Sequence, residues 1–486
     1  MNEEVKNLQP ARLWHYFGDI LEIPRPSKKE EKIAAYLVEF GKKHGLETLR
    51  DEIGNVIIRK PATPGKENIK SVVMQSHIDM VCEKNSDKEF DFDNDPIEAY
   101  IEDGWVTANG TTLGADCGIG VALSLAILES KDIEHGPIEC LFTVDEETGL
   151  TGAFGLDPNI LKSNILLNLD SEDDGLIFIG CAGGKDTVAE MPYKKEAVPA
   201  GHSAYKVSVT GLKGGHSGDD IEKGLGNANK VLNRALWNSA NDFGVLVSDF
   251  NAGNLRNAIA REGFAIVMIP DENTTAFEKY ILGFNTIVKA EFHVTDPGVN
   301  ISCEKTENPA FIIDKNTQDN LLKGIYACPH GVISMSQDID DFVETSTNLA
   351  SIKFKDDVIE ITTSQRSSVE SAKDDICAMV ASTLQLAGCT TRHTDGYPGW
   401  APNPKSEIVD ITAKVYEDLF KEKPEVLAVH AGLECGLIGD KYPNMDMVSY
   451  GPTIRGAHSP DEKIEIKAVE RFWDMTIEIL RRIPNE

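Results

Sequence analysis

Two imidazoles and a set of carboxylates stand where this sequence turns from apolar to polar. His77 and Asp79 end the run SVVMQSHIDM, Asp116 lies in the glycine-rich GTTLGADCGIG, Glu146 and Glu147 follow IECLFTV, Asp170 closes NILLNLD, and His458 sits in GPTIRGAHSPDE. Alone, a His beside an Asp is usually a hydrogen-bonded structural pair, and two adjacent glutamates are an ordinary acidic loop. Together they point to a cation site, because like charges so gathered are costly unless something positive sits among them. Imidazole and carboxylate without thiolate suit a hydrolytic zinc pair. Two dications against three carboxylates leave one positive unit, which a bound hydroxide balances, and that hydroxide is the nucleophile of hydrolysis. In such sites the ions lie about 3.5–4 Å apart, one carboxylate bridges them, and the pKa of the water falls toward about 7. Of Glu146 and Glu147, adjacent in extended chain and so pointing apart, one can coordinate while the other accepts the water proton.

Such a constellation needs elements that carry remote residues to one rim. Extended runs at 55–59, 71–75, 138–144 and 164–169 alternate with helical segments such as 119–129, which predicts an α/β domain with a mostly parallel sheet covered by helices. Ligands of open α/β sheets bind beyond the carboxyl ends of the strands, where these side chains stand. Leu13, Tyr16, Phe17, Ile20 and Leu21 mark a first helix, ended by Pro24 and Pro26. A second carries Ile33, Leu37 and Phe40, with Ser27 and Glu30 at capping-box spacing and Gly45 as its C-terminal cap. The character changes near 199–201, where a half-exposed strand at 204–210 leads into a glycine-rich turn and a long polar helix. Strands expected at 263–269, 349–354 and 358–363 make an inserted α+β domain, and the first pattern resumes with runs at 426–430 and 445–450. The expected organisation is a catalytic domain in two pieces, 1–190 and 397–486, with the insertion at 191–396. No internal repeat is visible.

Composition narrows the partners. Acidic residues outnumber basic ones 79 to 48, and a net charge of −31 repels phosphate backbones, so nucleic acid is not expected. No stretch approaches the ~18 apolar residues of a membrane span, and the opening MNEEVKNLQP lacks a basic and then apolar pattern, so a cytoplasmic protein without membrane contact is expected. Nine cysteines without a C-x-x-C pair predict reduced thiols rather than disulfides or a thiolate metal site. His216, Ser217 and Asp219 are too close in sequence to converge as a serine triad.

In this order, and over essentially the whole chain, HIDM, GTTLGADCGIG, VDEETG, NLDSE, GLKGGHSG, HAGLECG and GPTIRGAHSPDE resemble the aminoacyl-histidine dipeptidases (Xaa-His dipeptidases, also called peptidase D or beta-alanyl-histidine dipeptidases). These belong to the zinc clan of aminoacylases and glutamate carboxypeptidases. The resemblance implies a di-zinc exopeptidase-like catalytic domain whose insertion serves as lid and dimerisation domain. It implies His77, Asp116, Glu147, Asp170 and His458 as metal ligands, with Asp116 bridging and Glu147 and His458 completing the second ion. Asp79 would orient His77, and Glu146 would act as general base and then as acid to the leaving amine. An Asp at 170 is similar to the peptidases that require a free amino terminus.

From the insertion, the resemblance implies His216 at the oxyanion, Asn257 and Arg366 on the substrate carbonyl and terminal carboxylate, and Gly432 as a close backbone approach to substrate. Two zinc ions are expected, with cobalt or manganese able to replace them. Small dipeptides, of the Xaa-His type or broader, are the expected substrates, and a homodimer the expected assembly. An N-acyl-amino-acid amidohydrolase on the same metals is the alternative; Glu146 argues against a non-catalytic metal- or peptide-binding protein. Cys117 departs from the Asn or other polar residue of close relatives, which bears on the surroundings of the ligands.

Overall fold

Strands carrying apolar residues at consecutive rather than alternate positions must be covered on both faces, since successive side chains point to opposite sides. Val72–His77, Ile138–Thr143 and Ile165–Asn168 are of this kind. All their residues are buried in a computed structural model, which describes residues 2–337, 339–403 and 405–485. They run parallel, in the order Ile138–Thr143, Val72–His77, Ile165–Asn168 and then Asp446–Ser449, at the centre of an eight-stranded sheet. The flanks are antiparallel: Glu47–Arg50 and Val56–Lys60 on one side, Leu176–Cys181 on the other. Antiparallel neighbours can be joined by short turns, whereas each parallel pair needs a crossover, so the parallel character is confined to the centre.

This sheet belongs to a unit formed by Met1–Gly180, Pro402–Ala428 and Leu433–Glu486. The helix Ala115–Glu129 is apolar on every side and packs between Val72–His77 and the helix Ala11–Leu21. A small antiparallel sheet pairs Lys463–Glu465 with both Ile454–Arg455 and Trp105–Ala108, tying the loop that holds His458 to the chain that leads to Asp116. The capping box expected at Ser27 and Glu30 does not form. Ser27 Oγ donates to Asp79 instead, while Glu30 accepts from the backbone of Lys28 and Asp145. Gly45 does close that helix, in the left-handed region at φ 66°.

A second unit comprises Cys181–Ala401 and Val429–Gly432. The chain enters it at Cys181, ahead of the boundary at 191 drawn from the sequence, because Gly183–Pro192 pairs along its length with Val358–Ser367, a partner remote in sequence. Apart from the added strand Gly331–Met335, its nine-stranded sheet and the helices packed on it follow the order strand, helix, strand, strand, helix, strand twice. One copy runs from His202–Thr210 to Asn300–Lys305. The other begins with Gly183–Pro192 and resumes at Lys315–Ala327, so it is split around the first, which hides the repeat from a linear reading. Among the described residues, none of the nine cysteines is disulfide-bonded, and no helix is long and apolar enough to cross a membrane.

Candidate metal centre and substrate-binding groups

In the first unit, His77 Nε2 lies 3.1 Å from Asp116 Oδ1 and 3.2 Å from Asp170 Oδ1. His458 Nε2 lies 3.3 Å from Asp116 Oδ2 and 2.9 Å from Glu147 Oε2. The two oxygens of Asp116 therefore face two different donor sets. On its other side, His77 presents Nδ1 to Asp79 Oδ1 at 3.3 Å. A proton kept on Nδ1 leaves the Nε2 lone pair facing Asp116 and Asp170. Asp79 also accepts the backbone N–H of Glu146 and Glu147 at 3.0 and 3.3 Å, and the Ser27 hydroxyl at 2.8 Å. The two glutamates are not extended, as the sequence suggested. They open the short helix Glu146–Gly149, whose free N–H groups Asp79 caps.

The residues fit a pair of divalent cations. Glu147 Oε1 and Asp170 Oδ1 are buried without a hydrogen bond, and orphaned buried acceptors are costly unless a cation takes them up. Each set combines imidazole and carboxylate, the ligand types of hydrolytic zinc. Without cations the charges are out of balance. Burial raises Asp170 to about 6 against the pull of His77, and raises Glu146 well above the usual carboxylate range, with Asp170, Glu434 and Glu147 adding to the effect. Burial also opposes the charge on Asp116, yet hydrogen bonds from His458 and His77 hold its carboxyl low. Asp116 and Glu147 in turn push His458 up to about 11. Cys117 also lies within metal-ligand reach of His77 and Asp170, but burial raises its thiol well above the usual range, and Sγ donates to the Leu169 carbonyl at 3.3 Å.

Two residues that shape this centre escaped the sequence reading. Glu462 accepts the backbone N–H of Leu113, Gly114 and Ala115 at 2.7, 2.8 and 2.8 Å, and that of Asp116 at 3.4 Å. The fully buried Arg25 donates to the carbonyls of Ile78, Asp79 and Gly114 at 3.2, 2.7 and 2.5 Å. Gly114 is obligatory there, since a Cβ would fall 2.5 Å from the guanidinium and φ is +73°. Glu462 lies in the motif GPTIRGAHSPDE and was within reach of the sequence; Arg25, between two prolines, carries no such mark. Glu462→Ala is expected to destabilise the fold by about 1–3 kcal/mol for each buried donor left unpaired. Urea unfolding checks this, and an unchanged midpoint would show that the turn holds itself.

The second unit gathers another group. Arg366, 7% exposed, donates from Nη1 to Tyr397 Oη at 2.9 Å and from Nε to Ser217 Oγ at 3.4 Å, while Nη2 stands 3.4 Å from His216 Nε2. No carboxylate among the described residues lies within ion-pair distance of it; Asp219 pairs instead with His216 Nδ1 at 3.0 Å. The Ser217 hydroxyl thus meets Arg366 rather than the imidazole. Asn257 joins through its backbone, its carbonyl accepting the Ser217 N–H at 2.8 Å, with its side chain exposed. At Gly432 a Cβ would fall 2.8 Å from the Tyr397 ring, so the absent side chain makes room for that ring. Tyr397 was read from the sequence only as part of a domain boundary.

Comparisons with known proteins bear on the whole chain. The model of peptidase family M20/M25/M40 matches residues 73–482. The chain is 43% identical over 481 residues to the cytosol non-specific dipeptidase of Escherichia coli (strain K12), covering 99% of each. It superposes on the aminoacylhistidine dipeptidase from Vibrio alginolyticus with a TM-score of 0.92 at 45% identity, covering 100% of this chain and 99% of that one. Aminopeptidase PepT from Bacillus cereus ATCC 10987 shares the fold at a TM-score of 0.59 and 17% identity, covering 98% and 99%. A full-length match of this kind, around a centre assembled from the motifs singled out in the sequence, identifies the chain as a member of peptidase family M20/M25/M40.

Proposed function

We propose that the chain hydrolyses dipeptides with a free amino terminus, with His77, Asp170 and Asp116 holding one zinc ion and Asp116, Glu147 and His458 another. Family membership already makes it a hydrolase of peptide bonds. The finer reading rests chiefly on one observation, the division of the two Asp116 oxygens between two donor sets. When bound, such a cation pair polarises a carbonyl and acidifies a water. Glu146 then takes the water proton on a carboxylate oxygen and delivers it to the nitrogen of the leaving amine. Asp79 keeps the His77 imidazole in the tautomer that binds metal. In the second unit, Arg366 has a fork of donors and, among the described residues, no carboxylate within ion-pair distance, which suits the terminal carboxylate of a peptide. His216 and Asn257 are assigned to the carbonyl of the scissile bond. The cytosol, named for the Escherichia coli relative, is our proposed location.

A panel on metal-reconstituted enzyme tests this: one dipeptide, its N-acetyl derivative and its C-terminal amide. The free dipeptide is expected to be hydrolysed with by far the highest kcat/KM. Equal or faster turnover of the N-acetyl compound would instead favour an N-acyl-amino-acid amidohydrolase. Arg366→Met is expected to lower kcat/KM for the free dipeptide by about 10²-fold, the usual scale for breaking a buried charge pair. It should change the rate on the amide far less, and an equal loss on both would remove Arg366 from carboxylate recognition.

A further inference from the structure

The motif HAGLECG contributes one further buried carboxylate to the first unit, Glu434, with no part in the mechanism above. Glu434 is 0% exposed and, among the described residues, has no cationic partner in hydrogen-bond contact. Its Oε2 accepts from Gln75 Nε2 at 2.6 Å and from Thr143 Oγ1 at 2.7 Å, while Oε1 is buried without a hydrogen bond. From Gln75 the contacts continue across the sheet. Gln75 Oε1 accepts from Asn168 Nδ2 at 2.5 Å, and Asn168 Oδ1 accepts from Ser449 Oγ at 2.5 Å and from the backbone N–H of Asp170 at 3.4 Å. Gln75, Asn168 and Ser449 are register partners on three neighbouring parallel strands. Gln75 stands two residues before His77 on one strand and so shares its face, and Asn168 ends its strand two residues before Asp170, whose backbone N–H its side chain accepts. A row of polar side chains therefore lies directly beneath the metal-facing row.

An amide has a donor end and an acceptor end, so this row has a direction. Oε2 of Glu434 can only accept, which obliges Gln75 to point its NH₂ at Glu434 and its oxygen at Asn168. Asn168 must then point its NH₂ at Gln75, which leaves its oxygen for the Asp170 N–H. Burial raises Glu434 to about 7, against hydrogen bonding from Thr143. Because both donors meet Oε2, a proton carried on Oε1 leaves the direction of the row unchanged.

We infer that Glu434 is a positioning residue: its Oε2, through Gln75 and Asn168, orients a chain of amides that ends on the backbone of Asp170 and so sets where that carboxylate meets a metal. This rests on the metal reading above. The role requires an acceptor at that point, not a charge, and the test follows from this. Glu434→Leu removes the acceptor; Glu434→Gln can keep it by placing its carbonyl at the Oε2 position.

Zinc content and affinity are measured on the full chain by equilibrium dialysis and chelator competition, with the visible spectrum of the cobalt-substituted protein as a second readout. Glu434→Leu is expected to weaken one of the two metal equivalents by about 10–100-fold, the scale for losing a partner behind a ligand. Its cobalt spectrum should change, whereas Glu434→Gln should match the wild type in both measurements. Gln75→Met, which interrupts the row while leaving Glu434 and its bond from Thr143 in place, should reproduce the loss and carries the test if Glu434→Leu does not fold. The inference is overturned if Glu434→Gln is as impaired as Glu434→Leu, since charge would then be what matters, or if Gln75→Met binds both ions as tightly as the wild type. Wild-type protein that takes up no zinc would overturn the metal reading itself, a result separate from either of these.

Discussion

Replacing Glu146 by Gln is expected to lower kcat by about 10²- to 10⁴-fold, the range for loss of a general acid–base group, or about 3–5 kcal/mol of barrier, while both metal ions remain bound. The geometry separates these two outcomes. Glu146 reaches Asp79 through its backbone N–H, which the substitution retains, and Asp79 continues to hold His77. Neither donor set built on Asp116 uses the Glu146 side chain. A Gln of the same shape removes only the oxygen that can carry a proton. Steady-state kinetics with elemental analysis of the same preparation decides the matter: near-normal kcat would remove Glu146 from catalysis, and loss of metal together with activity would make it a ligand.

Asp116→Asn should have an effect of similar size by a different route. The two oxygens of Asp116 face His77 and Asp170 on one side and His458 and Glu147 on the other. An amide offers one oxygen and one nitrogen without a free lone pair, so one set loses its shared ligand in either orientation, and the other loses a negative charge. Metal content is expected to fall below that of His458→Ala, which removes a donor from one set only, and turnover should drop to background. Thermal unfolding gives an independent check. A ligand that binds only the folded state stabilises it by about 2.7 kcal/mol at a hundred times its Kd, so zinc should raise the Tm of the wild type and raise that of Asp116→Asn much less. An equal zinc-induced shift in both proteins would show that Asp116 is not the shared ligand.

Much of the clustered set of imidazoles and carboxylates was legible because each member ends or adjoins an element with an obvious pattern. His77 closes an apolar strand, and Asp170 and the pair Glu146 and Glu147 stand just past two others. The residues that hold these side chains were not legible for the opposite reason. Glu462 braces the Asp116 turn from 346 positions away, and Glu434 meets Gln75 from 359. Both glutamates lie in motifs visible in the sequence, yet nothing in a local window says which remote groups each will meet. Ser27 shows the same effect in reverse, because its spacing to Glu30 fits a helix cap, yet a buried carboxylate outcompetes the helix end for its hydroxyl.

By itself, the sequence determined the chemistry that is available: imidazoles and carboxylates on strand ends and turns of an α/β sheet. Side-chain type and the two-residue period of a strand suffice for that. Only the tertiary structure decided how these groups are shared out, with the two oxygens of Asp116 turned to different partners, Arg366 set against Tyr397 and Ser217, and Tyr397 seated against Gly432. Those outcomes depend on distances between residues that are remote along the chain, and such distances are set by packing rather than by local pattern.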